Sequence, residues 1–230
     1  MDPEFQLKLV HVLIGAPLFL LSLVFHEYCH ALAATRLGDN TAAWSGRLTL
    51  NPLVHIDPIG SIVMPLVGMW MGGFIFGWAK PVPFNPRNLR NAPRDTMIIA
   101  LAGPVSNLVL VLVFAVLARA MMMGGLPIHP ILSSGPGGWV ITLDAWSMLH
   151  QGLTFAIFIN ALLAVFNMIP LPPLDGSKVL AYFLDSGTAA RLLNFNPMLS
   201  FFIIIMLFQT PLLRLPLDVL MSIGKSLGGL

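Results

Sequence analysis

The run Phe25-His26-Glu27-Tyr28-Cys29-His30-Ala31 places two histidines four residues apart with a glutamate beside the first. On an α-helix that spacing leaves the imidazoles about 40° apart in azimuth and one turn apart in height, so both can reach one metal ion. In HExxH sites the two histidines bind zinc, while the glutamate deprotonates an attacking water and can later protonate a leaving amine. The pattern fixes only three positions, and its plain alternative is a polar cluster at a helix end, hydrogen-bonded to solvent. The chain before it is apolar, however, and ionisable groups within such a segment are costly unless a partner such as a metal compensates them.

A catalytic zinc site takes a third protein ligand and keeps a fourth position open. His11 is on the same helix but about 22 Å away. His129 and His150 lie in or beside a stretch expected on the opposite side of the membrane. Asp175, or the pair His55 and Asp57, remains. Asp175 also has an ordinary reading: in Leu174-Asp175-Gly176-Ser177, after two prolines, it could simply cap a helix N-terminus.

A second motif decides between them by resemblance. HEYCH at 26–30, together with Asn167-Met168-Ile169-Pro170-Leu171-Pro172-Pro173-Leu174-Asp175-Gly176, resembles the paired HExxH and NxxPxPxLDG motifs of the site-2 protease family of intramembrane zinc metalloproteases, peptidase family M50. Gly103-Pro104-Val105-Ser106-Asn107 looks like that family's GPxxN element. The segments GRLTLNPLVHIDPIG and GWAKPVPFNPRNLR resemble its compact bacterial branch, which lacks PDZ and CBS domains. The resemblance implies one Zn2+ per chain, held by His26, His30 and Asp175, with Glu27 as the catalytic base. It also implies that Asn167 holds substrate near the metal. Asn107 is a further substrate-binding candidate, its alternative being a hydrogen bond to backbone opened by Pro104. Cys29 points about 100° away from His30 on the helix and is expected to be dispensable.

The elements that must position these residues belong in a bilayer. Of the 230 residues 57% are hydrophobic and 10% charged, with a mean hydropathy of +0.84, against about a quarter charged in soluble domains. The expected fold is an all-α polytopic membrane protein of about 4–6 membrane segments, with a three-helix catalytic core and a small membrane-associated β or re-entrant element. Met1 to Phe5 reads as a cloning remnant, and 6–230 as one integral-membrane metalloprotease domain. A first helix is predicted over 7–37, ended by Gly38. The alternation in Gly46 to Asn51 predicts a short strand, and residues 59–77, broken by Gly and Pro, a re-entrant segment. Helices follow at 95–122 and 144–168, separated by a Gly/Pro-rich loop; a short helix starts at Asp175, and 198–213 is a last apolar segment.

If the two motifs share a metal, the helices carrying them must run the same way, with one net crossing between them. Lys80, Arg87, Arg90 and Arg94 place the loop before the 95–122 helix in the cytoplasm. The active site is then expected in the cytoplasmic half of a multi-pass protein of the bacterial inner membrane. A net charge of +2 from 12 Lys and Arg argues against nucleic-acid partners. The expected partner is a single-span membrane protein whose helix unwinds locally, pairing by β-augmentation with the strand near Arg47 to Asn51. The expected reaction is peptide-bond hydrolysis within or near its transmembrane segment, as in regulated intramembrane proteolysis. The rival readings are a metal transporter using the same ligands and a catalytically inactive scaffold.

Overall fold

The computed structural model describes residues 3–63, 79–129, 132–135, 138–141, 144–208 and 210–228. Among them, three helices are long and apolar enough to cross a membrane: Val12–Arg36, Ala92–Met123 and Ala145–Asn167. The first is the apolar part of α1 (Pro3–Arg36); the others are α3 (Ala92–Met123) and α4 (Ala145–Asn167). A one-turn helix α2 (Thr41–Trp44) lies between α1 and α3. The chain ends in α5 (Asp175–Tyr182), α6 (Ser186–Leu193), α7 (Pro197–Phe208) and α8 (Pro211–Gly228).

Local chemistry sets the helix ends. Gly38 adopts φ 108°, a left-handed conformation open to glycine, and stops α1. The Asn91 side chain accepts from the Arg94 backbone N–H, and the Asp95 carboxylate accepts in return from the Asn91 N–H, giving α3 a reciprocal cap. Asp144 caps α4 by accepting from the Ser147 N–H at 2.9 Å.

Helix packing fixes the directions. Ile14 and Leu18 of α1 approach Gly152 of α4, and farther along both helices Ser22 meets Asn160, so α1 and α4 run parallel. Against α4, the pairing reverses: Met121 of α3 clusters with Leu153, whereas Asn107 meets Asn160, so α3 runs antiparallel to both. The two motif-bearing helices therefore share a direction, as a common metal requires. Leu217, Leu220 and Met221 of α8 cover Val111, Ala115, Ile157 and Ala161, and Ile204 of α7 packs on Ile169 and Leu174.

The expected strand over Gly46 to Asn51 is not formed. Its polar residues fold the backbone onto itself instead: Thr49 Oγ1 accepts from the Asn51 N–H, and Asn51 caps a 3-10 turn at Pro52–Val54. Arg47 then donates to the Val54 carbonyl, and His55 bonds the Thr49 carbonyl at 2.9 Å. These local bonds hold the segment in a turn. The β element lies elsewhere, in an antiparallel hairpin pairing Leu132–Gly135 with Gly138–Ile141, inside the stretch expected as loop. Of the re-entrant segment expected at 59–77, Pro58–Val63 forms a π-helical turn; 64–77 lies outside the described residues.

Candidate metal centre

His26 and His30 project from α1 toward one stripe of α3, and the match is residue by residue. The spacing of four on α1 is answered by Ile99, Gly103 and Asn107, also spaced by four on an antiparallel helix. His30 Nδ1 bonds the Ile99 carbonyl at 2.7 Å, and His26 Nδ1 bonds Asn107 Oδ1 at 2.6 Å. Gly103, between them, faces the other ring nitrogens. A Cβ on Gly103 would fall 2.6 Å from His26 Nε2 and closer still to His30 Nε2. Only glycine leaves that space.

Asp175 arrives from the end of α4. The run of Pro170, Pro172 and Pro173 cannot continue that helix, and the chain turns before α5 begins at Asp175. Gly176 packs directly on the Met168 and Ile169 carbonyls, where a Cβ would collide. The helix-cap reading of Asp175 does not hold: Leu174 occupies the cap position, and no side chain bonds the first turn of α5 there. Asp175 Oδ2 instead lies 3.3 Å from His26 Nε2 and 3.1 Å from His30 Nε2, while Oδ1 accepts from Lys178 Nζ at 2.9 Å.

These three residues are buried, and their ligand atoms lie within 4.8 Å of one another. The chemistry of the set fits a cation. A backbone carbonyl only accepts, so His30 Nδ1 carries the proton and its Nε2 presents a lone pair. His26, donating from Nδ1 to Asn107, does the same. The two Nε2 atoms, 3.0 Å apart, and a carboxylate oxygen then converge, three electron-rich atoms with edges near the roughly 3.3 Å of a tetrahedral site with bonds of about 2.0–2.1 Å. The Lys178 ammonium, 2.9 Å from Oδ1, favours the ionised carboxylate of Asp175. It is therefore an anionic ligand.

Glu27 is partly exposed beside His26, and its Oε2 accepts from the Val82 N–H at 3.2 Å. This bond brings the segment at 79–85 alongside the helix that carries the two histidines. Asn167, the last residue of α4, is partly buried and donates from Nδ2 to the Leu163 carbonyl at 3.0 Å. The alternative third-ligand pair has other duties: His55 bonds Thr49, and Asp57 caps the turn at Pro58–Val63 by accepting from the Ile59 and Gly60 N–H groups.

Asn107 requires a correction. It was expected to contact substrate or backbone freed by Pro104, but it is 0% exposed and bonds His26 with its oxygen and Asn160 with its nitrogen. Both ends of the amide are engaged behind the metal ligand, so it is a positioning residue. Gly103 and Ser22 went unnoticed in the sequence. Gly103 is the first residue of the GPxxN element, so the signal was present without its meaning.

The model of peptidase family M50 matches residues 14–208 of the chain. YwhC of Bacillus subtilis, named as a candidate zinc metalloprotease, is 33% identical over 206 residues, covering 90% of this chain and 84% of that protein. Rip2 of Mycolicibacterium smegmatis, named likewise, is 32% identical over 196 residues, or 85% of this chain and 66% of that one. A third such protein, MJ0611 of Methanocaldococcus jannaschii, is 28% identical over 161 residues, covering 69% of this chain and 64% of its own length. No solved structure gives a significant match.

Proposed function

The chain belongs to peptidase family M50 and is a zinc metalloprotease, and from that premise we propose that it hydrolyses peptide bonds within or near the transmembrane segments of membrane-protein substrates. One observation carries the reading: the depth of the metal centre. At 1.5 Å per residue, His30 lies about 9 Å before the end of α1 and Ile99 about 10 Å into α3. The two histidines, and the stretch of α3 that faces them, are thus set inside helices of membrane-spanning length.

The cytoplasmic half of the membrane is the proposed location of the site, supported by Lys80, Arg87, Arg90, Arg94, Lys178 and Arg191 flanking the same helix ends. In this reading the membrane is a bacterial inner membrane. The substrate is a single-span protein, and its helix must unwind at the cut because helical amides are hidden in intrahelical bonds.

His26, His30 and Asp175 would hold the ion. The chemistry supplied by zinc when bound is Lewis acidity toward a water molecule and the scissile carbonyl. Glu27 takes the proton from the attacking water and returns it to the leaving amine. Its bond to Val82 holds the carboxylate beside the ligands and leaves its other oxygen for that transfer. Lys178 occupies Asp175 Oδ1 and so directs Oδ2 toward the histidines. Asn167, at the turn between α4 and Asp175, positions the substrate backbone.

The reading is tested by incubating the purified chain with single-span substrates, with and without a chelator. Zinc-dependent cleavage inside the apolar segment is expected. Cleavage confined to soluble portions would remove the intramembrane assignment.

A further inference from the structure

We propose that Asn160, which bonds neither the metal ligands nor Glu27, sets the tautomer of His26 through Asn107 and thereby tunes how tightly the centre binds its metal. The chain of contacts is buried along its length. His26 Nδ1 meets Asn107 Oδ1 at 2.6 Å, Asn107 Nδ2 donates to Asn160 Oδ1 at 2.9 Å, and Asn160 Nδ2 donates to both Ser22 Oγ and the Ala156 carbonyl, at 2.9 and 2.8 Å. Ser22 Oγ in turn donates to the Leu18 carbonyl at 2.8 Å. Asn107 and Asn160 are fully buried, and Ser22 and His26 nearly so.

The polarity of this chain is forced from its far end. Amides and imidazoles can be turned either way, but backbone carbonyls only accept. The Ala156 carbonyl requires the nitrogen of Asn160 to face it. The Ser22 hydroxyl, having given its proton to Leu18, also requires a donor from Asn160. Asn160 must therefore turn its oxygen toward Asn107, Asn107 must answer with its nitrogen, and the oxygen of Asn107 is left facing His26. His26 then carries its proton on Nδ1 and presents the Nε2 lone pair to the metal. His30 reaches the same state in one step, through the Ile99 carbonyl. His26 Nδ1 bonds a side-chain oxygen instead, and among the described residues it connects to a backbone carbonyl of α4 through two side-chain amides.

The arrangement links α1, α3 and α4 at a single depth, and it ends on backbone acceptors instead of continuing across the membrane. Partners that orient a metal-ligating histidine typically change metal affinity 10–100-fold when removed. Asn160 is such a partner at one remove. The inference rests on the metal centre alone; proteolysis enters none of its readouts.

The test combines zinc affinity, by chelator competition on the detergent-solubilised chain, with 15N NMR of the histidine ring nitrogens in the metal-free protein. Asn160→Leu is expected to weaken zinc binding by on the order of 10-fold or more and to populate the Nε2–H tautomer of His26. On an Asn107→Leu background, where the chain is already cut, adding Asn160→Leu should cost nothing further. Unchanged affinity, a tautomer that stays on Nδ1, or losses that add in the double variant would each overturn the inference. Should Asn160→Leu fail to fold, the same cycle with Ser22→Ala decides it: a several-fold loss of affinity alone and none on the Asn107→Leu background is expected, and equal losses on both would overturn it.

Discussion

Gly103 and His30 stand on neighbouring helices so close together that the glycine has room for no side chain at all. The two ring nitrogens that it faces, His26 Nε2 and His30 Nε2, converge with Asp175 Oδ2. Gly103→Ala should push α3 away from the ring nitrogens and weaken zinc binding by on the order of 10–100-fold, read by chelator competition. Gly152→Ala is the control. Its Cβ would meet Ile14 and Leu18 at 3.4 and 3.6 Å, ordinary contact, and zinc affinity should not change.

Lys178→Met separates the ammonium at 2.9 Å from Asp175 Oδ1 while keeping the apolar stem. Without it, both carboxylate oxygens can compete for the ion. The expected result is a changed visible spectrum of the Co2+-substituted protein, because ligand number and geometry set that spectrum. An unaltered spectrum would show that Lys178 does not orient the ligand.

Asp39 follows α1 and gathers the loops at that end of the helix. Its Oδ1 accepts from the Thr41 N–H and hydroxyl and from Asn88 Nδ2, and its Oδ2 from the Asn85 N–H at 2.6 Å. Burial raises its pKa, but those bonds from Thr41, Asn88 and Asn85 outweigh it and leave the carboxyl below its ordinary value. A depressed folded-state pKa contributes stability that is complete above the unfolded value, about 3.9, and is lost as pH falls through the lower folded value. Asp39→Asn sets an amide nitrogen against these donors. It should lower stability at neutral pH by about 1–3 kcal/mol, a gap that closes only below about pH 4. Thermal unfolding in detergent at several pH values checks both statements.

Asn167→Ala should raise KM for a transmembrane substrate and leave zinc content unchanged, the signature of lost substrate positioning. A fall in zinc content would assign Asn167 to the metal centre instead.

The HEYCH motif was legible because the geometry of residues four apart is local to one helix. The parallel course of α1 and α4 also followed, since a shared metal leaves no other choice. Asp175 was harder: its local sequence reads equally well as a helix cap, and its contact with α1, 145 positions earlier in the chain at His30, is invisible to local sequence. Asn107 was misassigned because its partner is a side chain on another helix, invisible to spacing. At Gly46 to Asn51 the apolar alternation was real, but Thr49 and Asn51 bond their own backbone more readily than an edge strand can form. The hairpin at 132–141 was missed because glycine and proline dominate that stretch.

The most direct test of the account is cleavage of a single-span substrate by the zinc-loaded chain beside its Glu27→Gln variant, with products mapped by mass spectrometry and zinc measured in both. The account predicts a cut inside the apolar segment for the unaltered chain. It predicts full zinc occupancy but a rate lower by on the order of 10²–10⁴-fold for the variant. Equal cleavage by the two proteins would contradict it.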